Sequence, residues 1–216
     1  MNAVILAGGK GSRLAPFVAP KSLLPINGVP IIQRILKHLL VKHSVFERAI
    51  ICTGYRAADV RAAVAEHNWG TRVAFSDAGE DATMGERLSR FKGERIVVVY
   101  GDELADVDLV KLLERHGGYG RAMTFTVAEQ AVPGGVVDWG GGVVKIAEDT
   151  KSTVNIGFVV VEPDAWKHLE EKDGLWAWIN RMSSREPAGV GTYLHTGLRA
   201  TVNSLIDLKS AEEMWR

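Results

Sequence analysis

Apolar runs alternate with helically spaced apolar positions along the whole chain. Residues 3–7 (Ala-Val-Ile-Leu-Ala) form a short unbroken apolar run and read as a buried strand. The stretch 30–41 opens with Pro, which suits a helix's first turn, and its apolar residues at 31, 32, 35, 36, 39 and 40 mark one face. Strands are predicted at 48–53, 72–76, 95–100 and 122–128, with helices at 57–66, 85–90 and 108–116. The 95–100 strand is the most apolar of these and stops at Gly101-Asp102. Residues 133–146 predict a hairpin with glycines at its tip, followed by a strand at 153–161. Helices are predicted at 163–171, 176–182 and 205–215, and short strands at 191–196 and 198–202. This alternation predicts an α/β protein with a mixed, mostly parallel central sheet covered on both faces.

Composition narrows the classes. A chain of 216 residues with 46% hydrophobic content suits one domain with an ample core, and it shows no repeat, linker or low-complexity tail. Lys+Arg and Asp+Glu are 26 each, so no global field draws the chain to nucleic acid or acidic lipid. Any anionic ligand needs a local basic patch. The single cysteine, Cys52, excludes an internal disulfide framework and fits a reducing, cytoplasmic setting. Six scattered histidines lack zinc-ligand spacing. No apolar run approaches a membrane span and no basic segment opens the chain, so neither secretion nor a membrane partner is expected.

The chemistry begins where the first strand ends. Leu6-Ala-Gly-Gly-Lys-Gly-Ser-Arg-Leu carries three glycines, Gly8, Gly9 and Gly11, then Arg13, with Lys21 eight residues on. Glycines let a backbone turn sharply and approach a ligand closely, and successive N–H groups in such a turn make an anion-binding concavity. Two cations beside it suggest a di- or triphosphate. A plain strand-to-helix turn with two solvated basic residues is the alternative. The pattern is neither the dinucleotide fingerprint, since position 14 is Leu, nor a P-loop.

Leu-Ala-Gly-Gly-x-Gly-x-Arg-Leu followed by Pro20-Lys-x-Leu-x-Pro25 resembles the signature of the sugar-1-phosphate nucleotidyltransferases. The segment between Arg13 and Pro20 is about two residues shorter than usual there. Residues 77–88, with Thr83, Met84, Gly85, Glu86 and Arg87, the Tyr100-Gly-Asp strand end, and Tyr193-x-His-x-Gly197 resemble the glucose-1-phosphate cytidylyltransferase branch. Glu86 and Glu103 stand where that branch has glycines, and an insertion of roughly thirty residues is missing near 68–71. The resemblance implies a three-layer Rossmann-like nucleotidyltransferase fold over residues 1–216. Residues 1–128 would mainly bind nucleotide, and 129–216 would bind sugar and supply a second metal ligand.

It also implies roles. Arg13 would hold the leaving phosphates, Lys21 the α-phosphate or sugar phosphate, and Asp102 a Mg²⁺. A carboxylate at the exit of a buried strand suits that hard ion, which shares its shell with phosphate oxygens; a helix cap is Asp102's other role, although Asp106 and Asp108 look better placed as caps. Asn203 stands where most of the family has the second metal-binding aspartate; it would otherwise cap the last helix. Backbone around Leu6, Ala7, Gly8, Gly9 and Gly11, with Gly85 and Arg87, would bind the nucleotide. Glu148, Lys151 and Asn155 would face the sugar phosphate, with Asp149 where the family's lysine belongs; a solvated loop lysine and a core asparagine satisfied by backbone are the alternatives for Lys151 and Asn155. The substrates would be an NTP and a sugar 1-phosphate, CTP and glucose 1-phosphate leading; a catalytically silent nucleotide-binding relative is the rival. The tryptophans read as packing, except Trp139 at the hairpin tip, a candidate contact to another subunit of a homo-oligomer.

Overall fold

The computed structural model describes residues 1–11, 20–131, 136–138, 145–147, 151–185 and 189–216. In chain order, the first strand is β1 (Asn2–Leu6), followed by a small hairpin of β2 (Pro25–Ile26) and β3 (Val29–Pro30). Helix α1 (Ile31–Lys37) runs on into a π-turn at His38–Lys42. Then come β4 (Arg48–Thr53), α2 (Ala57–Ala65), β5 (Val73–Asp77), α3 (Met84–Ser89), β6 (Ile96–Tyr100), β7 (Glu103–Ala105) and α4 (Leu109–Tyr119). The second half contains β8 (Met123–Ala131), β9 (Val136–Asp138), β10 (Lys145–Ala147), β11 (Lys151–Val161), α5 (Leu175–Arg185), β12 (Val190–His195), β13 (Arg199–Thr201) and α6 (Leu205–Met214).

Seven strands form one sheet in the order β12-β8-β11-β6-β1-β4-β5. All neighbours are parallel except β11, which runs antiparallel to both β6 and β8. The central strands are apolar on both faces because helices cover both. Successive side chains of a strand point to opposite sides, so Ala3 and Ile5 of β1 join one core with Leu36, Val97 and Phe158. Val4 points the other way, into a core with Leu88, Val98 and Trp178. The expected three-layer, mostly parallel fold is what forms, and strands from both halves of the chain share its sheet. No helix among the described residues is long and apolar enough to cross a membrane.

Several local expectations need correction. The β2–β3 hairpin turns on Asn27 and Gly28, both with positive φ (48° and 76°), as an Asn-Gly turn requires; the sequence reading passed over it. The helix expected at 163–171 is only a 3₁₀ segment, Pro163–His168. Helix α4 continues past His116 through Gly117 and Gly118 and stops at Gly120, which is left-handed (φ 57°). The expected hairpin is present as the antiparallel β9–β10 pair; its tip, with Trp139, lies outside the described residues.

Candidate active site

Strands β1 and β6 are parallel neighbours with Leu6 opposite Tyr100, so the glycine turn and Asp102 leave the sheet side by side. Backbone bonds fix the turn: Ala7 N–H donates to Cys52 O (3.0 Å), Tyr55 N–H to Gly8 O (3.1 Å) and Gly101 N–H to Leu6 O (3.1 Å). A third approach comes from the C-terminal region. β13 pairs antiparallel with β7, and Val202 N–H donates to Asp102 O at 3.1 Å, which carries Asn203 to the same spot.

Lys21 lies at the meeting point. Its ammonium donates to Asp102 Oδ2 at 3.0 Å and to Asn203 Oδ1 at 2.5 Å. The lysine side chain is 10% exposed, so its charge is largely removed from water and held by these two oxygens. Gly11 makes room for it: with φ +62°, a Cβ there would sit 3.1 Å from Lys21 Cγ. A polar cavity of about 210 Å³ adjoins the group, lined by Leu6, Ala7, Gly9, Gly11, Lys21, Ser22 and Asp102. Asn203 does not cap α6. Ser204 does, accepting from Asp207 N–H at 3.2 Å, while Asp207 Oδ2 accepts the Asn203 N–H. Asp108 caps α4, as expected of it.

Asp102 and Asn203 also fit Mg²⁺. Their oxygens lie within 3.0 Å of one nitrogen, so they converge on a point that already holds a cation. One carboxylate and one amide oxygen leave room for the phosphate and water ligands this ion keeps.

A larger cavity of about 710 Å³ continues from the glycine turn and shares Leu6, Gly9 and Asp102 with the first. It reaches Gly8, Met84, Arg87 and Tyr100, and is bordered by Lys10, Glu80, Asp81 and Trp176. Lys10 pairs with Asp81 (2.8 Å) and Glu80 (3.2 Å), and the Asp81 hydrogen bond is the main cause of its raised pKa. Arg87, expected at the nucleotide, lies in this wall, but its buried guanidinium is occupied by protein. It donates to the carbonyls of Thr53, Gly79 (2.9 Å), Glu80 (3.2 Å) and Gly8 (3.3 Å). It therefore holds together three segments that line the cavity. Gly85 faces away: its N–H donates to Asp173 O at 2.9 Å, and a Cβ would fall 2.3 Å from Glu170 O. Glu86, in place of the branch's glycine, completes a capping box with Thr83 at the start of α3.

Asn155 lines a third cavity of about 420 Å³ with Asn203 and Arg199. Its Oδ1 accepts Gly157 N–H at 3.1 Å, and it hydrogen-bonds the Tyr100 hydroxyl, whose pKa burial pushes up. Lys151 is exposed and pairs with Glu129 Oε2 at 2.9 Å. Arg13 and Glu148 lie outside the described residues.

The tryptophans divide. Trp166 and Trp178 are buried packing residues, as read from sequence. Trp176 is not: it is 56% exposed and borders the larger cavity. Positions two apart on a helix face opposite ways, so the Trp176–Trp178 spacing already implied that one ring would leave the core. Cys52 is buried, and burial raises its thiol pKa to about 12, so it is inert.

A polar cavity at the carboxyl ends of adjacent parallel strands, lined by a lysine and a carboxylate, is the kind of site at which open α/β sheets receive phosphate-bearing ligands. The chain belongs to the MobA-like NTP transferase domain family, whose model matches residues 3–185. Glucose-1-phosphate cytidylyltransferase from Salmonella typhimurium is 27% identical over 100% of this chain and 96% of its own length. HddC from Yersinia pseudotuberculosis, complexed with GMP-PN, superposes with a TM-score of 0.75 at 18% identity, covering 100% of this chain and 99% of that one. UTP-bound UGPase from Acinetobacter baumannii gives 0.73 at 16% identity, with 99% and 92% covered. At these identities the two structures speak for the fold alone.

Proposed function

We propose that the protein catalyses NTP + sugar 1-phosphate → NDP-sugar + diphosphate, with CTP and glucose 1-phosphate as the first pair to test. A phosphate oxygen of the sugar ester attacks the α-phosphorus; the bond to the bridging oxygen breaks, and diphosphate leaves with that electron pair. Such transfer needs alignment and charge neutralisation rather than a protein nucleophile. The observation that carries this reading is the Lys21 ammonium held between Asp102 and Asn203 beside the glycine turn. On substrate arrival Lys21 exchanges one of these partners for a phosphate oxygen. A Mg²⁺ held by Asp102 and Asn203 would supply further charge neutralisation at the phosphates. Arg13 serves the leaving phosphates, and the walls stitched together by Arg87 receive the base. The end-to-end similarity to a cytidylyltransferase favours CTP.

The test is diphosphate release from CTP, UTP, dTTP and GTP, each with a panel of sugar 1-phosphates. Release with one preferred pair is expected. Nucleotide binding with no release from any pair would favour the silent relative instead.

A further inference from the structure

A sugar 1-phosphate brings its own phosphate into the site, and that anion needs a cationic partner. The residue the family resemblance would supply is absent, since position 149 is Asp. Its nearest substitute, Lys151, pairs with Glu129 on the exposed outer stretch of β11 and β8. The third cavity nevertheless contains a cation: Arg199 lines it together with Asn155 and Asn203.

Arg199 is placed by the same ribbon that builds the catalytic group. β7 begins one residue after Asp102, and β13 ends two residues before Asn203. Pairing of Arg199 with Ala105 and Thr201 with Glu103 locks the two strands in register. The Arg199 side chain is 17% exposed, and its Nη2 donates to Gln130 Oε1 at 2.9 Å.

Balancing Glu103 is the competing role for this arginine. Glu103 is 2% exposed, and Thr201 donates its hydroxyl to Glu103 Oε2. Its other oxygen, Oε1, stands 3.9 Å from Arg199 Nη1 and has no hydrogen-bond partner among the described residues. Burial raises the Glu103 pKa to about 7, and the arginine stands beside this carboxyl without a bidentate bond to it. A guanidinium carries five N–H donors in a planar fork suited to phosphate, more than one bond to Gln130 uses. The one carboxylate among the cavity's described lining residues, Asp207, accepts the Asn203 N–H.

We infer that Arg199 receives the phosphate of the sugar 1-phosphate, taking over the work of the lysine that this chain lacks, while Asn155 faces the sugar. This rests on the reaction proposed above. It gives the phosphate ester a cation in a cavity that Asn203 also lines, and Asn203 in turn holds Lys21 of the glycine-turn cavity.

The experiment compares the full chain with Arg199→Gln, Arg199→Lys and Lys151→Gln, using the nucleotide and sugar pair that gives diphosphate release. Arg199→Gln should raise the KM for the sugar 1-phosphate tenfold or more and leave that for the nucleotide within twofold. Arg199→Lys should recover part of the loss, and Lys151→Gln should behave as the parent. A sugar-phosphate KM unchanged in Arg199→Gln, or raised equally in Lys151→Gln, overturns the assignment. Should Arg199→Gln fail to fold, Arg199→Gln with Glu103→Gln removes both charges and takes its place. Calorimetric titration with α-D-glucose 1-phosphate separates this inference from the reaction itself. If the parent releases no diphosphate with any pair, the proposed reaction fails. Binding by the parent but not by Arg199→Gln still supports the arginine, whereas equal binding, or none to the parent, overturns it.

Discussion

Asn203 accepts a hydrogen bond from the Lys21 ammonium at 2.5 Å, across 182 positions of chain. The contact joins the segment after the glycine turn to the start of the last helix, and Asp102 completes it from the central sheet. Because Ser204 takes the capping duty, the Asn203 side chain is released for the site.

That division of labour predicts opposite results for two conservative changes. Asp102→Asn removes the one carboxylate among the three groups and should lower turnover by roughly 10²–10³, the usual effect of deleting an electrostatic contact at a reacting phosphate. The protein should stay folded with a moderate loss of thermal stability, since the largely buried Lys21 keeps two oxygen acceptors but loses its counter-charge. Asn203→Asp adds a charge at a point suited to Mg²⁺ and should tighten Mg²⁺ binding measured by calorimetric titration. Near-normal diphosphate release by Asp102→Asn would reject the site.

Arg87 should prove to be a structural clamp. Its guanidinium serves four backbone carbonyls on three segments, and Arg87→Met would leave the buried Thr53 carbonyl without this donor and untie the three segments, although Gly8 O keeps the Tyr55 N–H. A loss of about 3 kcal/mol or more is expected in urea unfolding. Arg87→Lys should not rescue it, because a single ammonium nitrogen cannot span the same fork of acceptors. A stable Arg87→Met protein with only a raised nucleotide KM would mean that the arginine mainly serves the ligand.

These residues show how far the sequence could be read. The sheet was legible because its central strands are apolar on both faces and the glycine turn follows one of them directly. Lys21 and Asp102 were legible from type and position. The purpose of Arg87 was not, because its acceptors are carbonyls from residues 8, 53, 79 and 80, and backbone carbonyls leave no mark in sequence. Arg199 escaped notice for a related reason: its neighbours Gln130 and Glu103 come from other strands. Trp176 and the Asn27-Gly28 turn did leave signals, in helical spacing and turn chemistry, that went unused.

Gly85 tests whether a residue expected at the nucleotide is instead a packing contact. A Cβ would meet Glu170 O at 2.3 Å and Glu171 O at 2.4 Å, and both are backbone atoms that can yield only by moving the segment. Gly85→Ala should therefore cost roughly 1–3 kcal/mol, as overpacking does. The nucleotide KM of the folded fraction should stay within a few fold. A stable Gly85→Ala protein with greatly weakened nucleotide binding would return the glycine to the ligand.

His38 gives a prediction about pH that is independent of the reaction. It sits at the end of α1 beside His43 (ring centroids 4.9 Å apart) and Phe158, and its Nε2 is buried with no hydrogen-bond partner among the described residues. Burial, reinforced by the neighbouring His43 and Lys42, lowers its pKa from 6.5 to about 4, against smaller opposing effects from a Val107 backbone hydrogen bond and Asp106. The folded state therefore binds this proton less readily than the unfolded chain does. Above pH 6.5 the ring is neutral in both states and contributes no slope. As pH falls from 6.5 towards 4 the unfolded chain gains the proton first, so stability drops, by roughly 3 kcal/mol at most from this residue. His43 shifts the same way, with burial again the largest cause, and adds to the slope. Urea unfolding between pH 7 and pH 4.5 should show a shallower acid decline for His38→Gln than for the parent, because carboxylate titrations are common to both. Parallel curves would mean that the His38 ring is protonated in the folded protein at a near-ordinary pKa.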